Sequence, residues 1–242
     1  MTKSDYRAGF TGNQLKLLAA AAMVVDHVGV LLLPQVTFLR VAGRLAFPIF
    51  AFMIAQGCRY TRSRLRYFLG IFLLGVGCQL VYAVAATADR GNILLTFSIS
   101  IALTYLLQQS KKSLYRRKAA AALWVAALAA AIVAAYYVNL LVVIDYGFWG
   151  CMMPVLAGLF AQDADAPEAW KAADKNVVHV LLLGVGICLV TLTRSRGEIY
   201  QLLALPLLLC YNGSRGRLNM KNFFYIFYPL HLALLYGISC LL

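Results

Sequence analysis

The sequence predicts an all-α polytopic integral membrane protein, a bundle of about nine transmembrane helices with the N-terminus cytoplasmic and the C-terminus outside. Three observations predict it. The 242 residues are 62% hydrophobic and only 13% charged, with a mean hydropathy of +0.77, too apolar a stock from which to assemble a water-facing surface. The charges gather in short clusters between apolar runs of about 15 to 21 residues, the length that crosses roughly 30 Å of hydrocarbon at 1.5 Å per residue. The basic clusters fall in alternate connectors, as the positive-inside rule requires.

The predicted spans lie at 14–34, 41–57, 67–87, 93–110, 119–138, 147–162, 177–193, 197–211 and 223–242. The first contains Asp26 and His27, which a cleaved signal segment would not carry, so it is read as a permanent helix. The second opens at Arg40 and Arg44 and carries Pro48, which cannot donate to the carbonyl of Arg44 and therefore predicts a kink. In the third, Gly70, Gly75 and Gly77 lack the Lys-Ser/Thr of a phosphate-binding loop and are read as close-packing positions. Asn92 opens the fourth span. Asp145-Tyr146-Gly147-Phe148 opens the sixth, where an acid suits the positive end of the helix dipole and serves equally as a cap or as part of a site. His179 starts the seventh at the interface and is read as a solvated histidine. The eighth is short and carries Pro206. The ninth follows an aromatic run and contains Tyr228-Pro229-Leu230-His231, in which Pro229 frees the carbonyl of Tyr225.

The polar connectors are too short to fold alone, the longest being 161–176, so residues 1–242 are read as a single transmembrane domain. Lys3, Arg7 and Lys16; Arg59, Arg62, Arg64 and Arg66; Lys111, Lys112, Arg116, Arg117 and Lys118; Lys171 and Lys175; and Arg215, Arg217 and Lys221 all fall on one side of a nine-helix bundle. That side is assigned to the cytoplasm. The net charge of +13 is thus explained by topology. A nucleic-acid reading is excluded, because it needs a basic, aromatic-bearing face on a soluble module. The six cysteines have no ligand spacing, so no metal site is expected.

An ionisable side chain inside a bilayer costs at least a few kcal/mol and turns inward, which makes it a functional candidate. Asp26 and His27 lie near the midplane of the first span, and Arg44, on the same face as Arg40, is the expected partner of Asp26. Arg40 is read as snorkelling outward. His231 lies roughly 12 Å into the membrane from the cytosolic side, so that His27 and His231 can face each other across one cavity.

These residues carry a resemblance. Leu15-Lys16, Met23-Val24-Val25-Asp26-His27-Val28-Gly29 and Arg40-Val41-Ala42-Gly43-Arg44-Leu45-Ala46-Phe47-Pro48-Ile49-Phe50, then Gln56-Gly57, Tyr60-Thr61, Tyr67, Asn92, Thr96-Phe97, Asp145-Tyr146-Gly147 and Phe227-Tyr228-Pro229-Leu230-His231-Leu232, resemble the TraX family, membrane proteins typified by the F-pilin acetylase. The family is similar to the wider transmembrane acyltransferases.

The resemblance implies acetyl transfer from cytosolic acetyl-CoA to an amine or hydroxyl of a membrane-associated or exported acceptor: a pilin, another peptide, a sugar or a lipid. On that expectation His27 takes the proton from the nucleophile, and Asp26 fixes its tautomer or pairs with Arg44. Arg44 stabilises the oxyanion, and His231 is the alternative base or protonates the departing thiolate. Arg59, Arg62, Arg64, Arg66 and Lys221 hold the CoA phosphates, and Arg40, Asp145 and Tyr228 are candidates for acceptor binding. The rival reading from another class is a small transporter or channel using Asp26, His27 and Arg44 as a relay; the absence of an internal repeat counts against it.

Overall fold

The computed structural model describes residues 8–84, 91–117, 119–217 and 220–241, leaving aside the side chains of 82–84, 221 and 222. Among these residues the regular structure is helical: α1 (Gly12–Leu31), α2 (Thr37–Gly43), α3 (Ala46–Tyr60), α4 (Arg64–Val84), α5 (Ile93–Tyr115), α6 (Ala121–Leu141), α7 (Gly147–Ala157), α8 (Glu168–Lys171), α9 (Asn176–Thr193), a 3-10 helix (Arg196–Ala204), α10 (Leu205–Leu209) and α11 (Lys221–Ser239). The only β pairing among them is two isolated parallel bridges, Phe10 with Tyr211 and Gly91 with Ile144.

Where the sequence predicts about nine spans, six segments among the described residues are long and apolar enough to cross a membrane: Gly12–Leu31, Thr37–Tyr60, Arg64–Val81, Ile93–Tyr115, Ala121–Leu141 and Asn176–Thr193. Gly147–Ala157 and Phe223–Ser239 are shorter apolar helices. The 11 residues of α7 rise only about 16 Å, half a hydrocarbon core. The predicted eighth span resolves into the 3-10 helix and the five residues of α10, with Pro206 in the first turn of α10, where its missing N–H costs nothing. Most of α6 lies on the outside of the fold, the placement of a lipid-facing helix.

The described residues up to Phe50 and from Tyr200 onward form one compact unit, and Ala51–Ile199 form another. In the first, the donors at the start of α1 are all satisfied. Thr11 and Gln14 make a reciprocal capping box, the Gly12 and Asn13 N–H groups donate to the carbonyls of Ser214 and Arg215 at 2.8 and 3.0 Å, and Phe10 N–H donates to Cys210 O at 2.8 Å. The segment before α11 is thereby laced to the beginning of α1. Beyond the turn at 32–36, α2 folds back onto α1 at two glycines: a Cβ on Gly29 would lie 2.9 Å from the Leu39 Cβ, and one on Gly43 would run into Asp26.

The helix holding Arg40 stops at Gly43, turns through Arg44 and Leu45, and restarts at Ala46. The expected kink at Pro48 is therefore a full break placed earlier, and Pro48 sits in the first turn of α3, where no intrahelical donor is needed.

In the second unit, α5 packs against α4, α6 and α7, and α7 against α9. Hydroxyl-bearing residues line the buried side of α5, and Thr96, Ser98, Ser100, Thr104 and Ser110 find partners inside the protein, whereas Ser113 Oγ has none among the described residues. Thr96 Oγ1 donates to Asp145 O at 2.9 Å, Ser110 Oγ lies 2.8 Å from Trp124 O, and Thr104 Oγ1 bonds back to Ser100 O at 2.7 Å. Small polar residues of this kind let membrane helices approach closely without stranding a donor in hydrocarbon.

Candidate functional site

In the first unit α1 presents two ionisable residues side by side, and the structure separates their roles. Asp26 Oδ2 accepts a 2.6 Å hydrogen bond from Arg40 Nη1, with the two side chains 19% and 33% exposed. The pairing with Arg44 expected from the sequence is thus corrected to Arg40, and Arg40 turns inward rather than snorkelling. Gly43 packs onto Asp26, and this close approach of α2 brings Arg40, one turn earlier, over the carboxylate. Arg44 occupies the C-cap position of α2. The second carboxylate oxygen, Oδ1, is buried with no hydrogen-bond partner among the described residues.

His27 does not depend on Asp26 for its tautomer. Its Nδ1 lies 2.8 Å from the carbonyl oxygen of Met23, one turn back, and His231 repeats the arrangement with Nδ1 2.9 Å from Phe227 O. A carbonyl only accepts, so Nδ1 carries the proton in both rings and the lone pair of each neutral imidazole sits on Nε2. The rings meet edge to face with centroids 5.1 Å apart. Phe227 stacks on His231 at 4.9 Å, and the buried Tyr228 meets it edge-on at 5.8 Å. His231 Nε2 is buried and has no hydrogen-bond partner among the described residues. Two imidazoles from helices far apart in sequence thus offer unoccupied Nε2 atoms in one place, the equipment for taking up and handing on a proton.

The other candidates lie in the second unit. Asp145 Oδ1 accepts from Tyr146 N–H at 3.1 Å, and its own N–H donates to Gly91 O at 3.0 Å, so it shapes the turn into α7. Tyr146 in that turn is left-handed, with φ 58. Arg59 grips Asp174 with both ends of its fork, at 2.8 and 2.7 Å. The remaining valences of Asp174 take His179 Nε2 at 2.8 Å and Gln162 N–H at 3.1 Å. Burial raises the Asp174 pKa, but the hydrogen bonds from Arg59 and His179 and the Arg59 charge outweigh it and hold the carboxyl below its ordinary value.

His179, expected to be solvated, is buried at 3% exposure and joins α9 to the connector before it. The bidentate bond commits Arg59 to Asp174 and takes it out of the set of phosphate ligands. Arg62, Arg64 and Arg66 stay exposed, Arg64 over the Tyr105 ring at 5.2 Å and Arg66 Nε on Ser63 Oγ at 3.1 Å. The side chain of Lys221 lies outside the described residues.

Sequence reasoning missed the Arg40 bond to Asp26 and the Arg59, Asp174 and His179 junction. Gly29 and Gly43, spaced to bring α2 against α1, carried a signal for the first; nothing local signals the second, whose members are brought together only by the fold.

Known proteins bear on this geometry. The family described as "TraX protein" matches residues 11–239. The chain is 24% identical, over 93% of its length and 94% of the relative's, to the probable fimbrial assembly protein FimC, serogroup H1, of Dichelobacter nodosus. It is also 29% identical over 40% of its length, and 37% of the relative's, to the uncharacterized protein RP591 of Rickettsia prowazekii (strain Madrid E). No solved structure matches it.

Proposed function

The chain belongs to the TraX family, which spans residues 11–239 of it, and on that premise we propose that it is a membrane-embedded acetyltransferase using acetyl-CoA from the cytoplasm of a bacterial inner membrane. The acceptor is an amine or hydroxyl on a membrane-associated or exported molecule, and the fimbrial-assembly name of the Dichelobacter relative supports a surface-fibre subunit. The observation that carries the reading is the pair of imidazoles at 5.1 Å, each with Nδ1–H tied to the main chain.

In the proposed reaction His27 Nε2 takes the proton from the acceptor as its nitrogen or oxygen attacks the thioester carbonyl. The bond to carbon forms, the captured proton passes from His27 to the Nε2 of His231, and the tetrahedral adduct collapses with cleavage of the C–S bond as His231 gives that proton to the leaving thiolate. Both rings are then neutral again. Arg44 is the candidate donor to the oxyanion. Asp26 and Arg40 hold α1 and α2 in register beside the pair, and Tyr228 packs on His231 where the acceptor enters. Transfer of radiolabelled acetyl groups from acetyl-CoA into the envelope fraction tests the reading: label incorporated by the wild type and lost with His27→Gln supports it, and incorporation that does not depend on the protein refutes it.

A further inference from the structure

We infer that Lys16 is an anchor for the phosphates of the thioester donor, and that the donor's pantetheine arm lies along the seam between α1 and α11 with its thioester at His27 and His231. The inference rests on the acetyl-CoA reading and adds to it a binding residue and a path.

The seam is defined by two contacts. Lys16 Nζ lies over the ring of Phe224 at 5.9 Å, and the His27 ring meets that of His231 at 5.1 Å. Both pairs advance in the same direction along the chain, so α1 and α11 run side by side and parallel here. Lys16 and His27 are three turns apart and on the same face of α1; Phe224 and His231 are two turns apart and on the same face of α11. The Lys16 ammonium lies over Phe224, two turns or about 10 Å from the His231 level at the α-helical rise, and the Lys16 backbone is about 16 Å from the His27 level. An extended chain covers that span in about three to five residue-equivalents, within the reach of the pantoyl, β-alanyl and cysteamine units that separate the diphosphate of CoA from its sulfur.

The electrostatics single out Lys16. It is half-buried and has no hydrogen-bond or ion-pair partner among the described residues. Its unit offers none, because Asp26 is the one carboxylate among that unit's described residues and is already bonded to Arg40. Lys16 also sits in the second turn of α1, near the positive end of the helix, and the charge of Arg215 repels it. A partly buried ammonium held against a like charge and a helix N-terminus lacks an anion, and a phosphate supplies one. The same chemistry fits the phosphate of an anionic lipid headgroup, and the experiment separates the two.

Full-length protein in phosphatidylcholine nanodiscs is titrated with acetyl-CoA and with S-acetylpantetheine, which keeps the arm and thioester but has no phosphate. Lys16→Gln should weaken acetyl-CoA binding about tenfold, the worth of one charge-assisted bond, and leave S-acetylpantetheine unchanged; Lys16→Arg should recover most of the loss. Equal losses for both ligands, or no loss for either, would overturn the anchor. A loss confined to retention of phosphatidylglycerol would assign Lys16 to lipid and overturn it too. Wild-type protein that binds no acetyl-CoA refutes the donor reading and the anchor together. Lys16-dependent acetyl-CoA binding without any acetyl transfer keeps the anchor and refutes the chemistry alone.

Discussion

Arg40 donates to Asp26 at 2.6 Å from a helix whose Gly43 lies directly against that aspartate. The pair closes the α1 and α2 hairpin, and removing one partner strands a partly buried charge. Asp26→Asn or Arg40→Gln should each cost about 2–3 kcal/mol of stability in detergent. A double-mutant cycle should give a larger coupling for Asp26 with Arg40 than for Asp26 with Arg44; the reverse order would restore the pairing read from the sequence.

Gly43→Ala should be as damaging as loss of the ion pair, since the new methyl group meets Asp26 and one helix must shift. Gly77, beside which nothing lies within 4 Å, is the control, and its alanine variant should be at least as stable as the wild type.

Asp174 gives the second unit an acid-sensitive joint. Its pKa is lowered in the folded protein, so the stabilisation is complete above the ordinary aspartate pKa and is lost as pH falls below it through the folded value. The unfolding temperature of the wild type should therefore fall through that acid window, and the fall should be shallower in Asp174→Asn. Identical slopes would show that the Arg59, Asp174 and His179 junction adds nothing to stability.

Reporter fusions after residues 62, 114 and 217 should report cytoplasm, and a fusion at the C-terminus should report the outside. A cytoplasmic C-terminus would mean that one of the short segments, α7, the 3-10 helix with α10, or α11, does not cross.

The sequence reveals most where a residue's chemistry acts locally. The apolar runs mark nearly every helix, and the motifs around Asp26, His27 and His231 place the two histidines opposite each other, as they are at 5.1 Å. Pro48 announces a disruption, but only the structure shows a helix that stops at Gly43 and restarts, because a proline is accommodated best in a first turn. The choice between Arg40 and Arg44 escapes one-dimensional reading: both lie on one face of α2, and the docking of Gly43 on Asp26 decides between them. The burial of His179 escapes it as well. A histidine at the start of a span is usually wet, and Asp174, five residues earlier, dries it only because Arg59 comes from the end of α3 to complete the junction.

The central claim is that the imidazole pair moves the protons of an acetyl transfer. Its most direct test is single-turnover transfer of labelled acetyl from bound acetyl-CoA by His27→Gln and His231→Gln, each first shown to be folded and to bind acetyl-CoA as the wild type does. Glutamine keeps much of the volume and a hydrogen bond but cannot carry the proton, so each variant should lose about a hundredfold to ten-thousandfold in rate. A loss below about threefold in both would contradict the account.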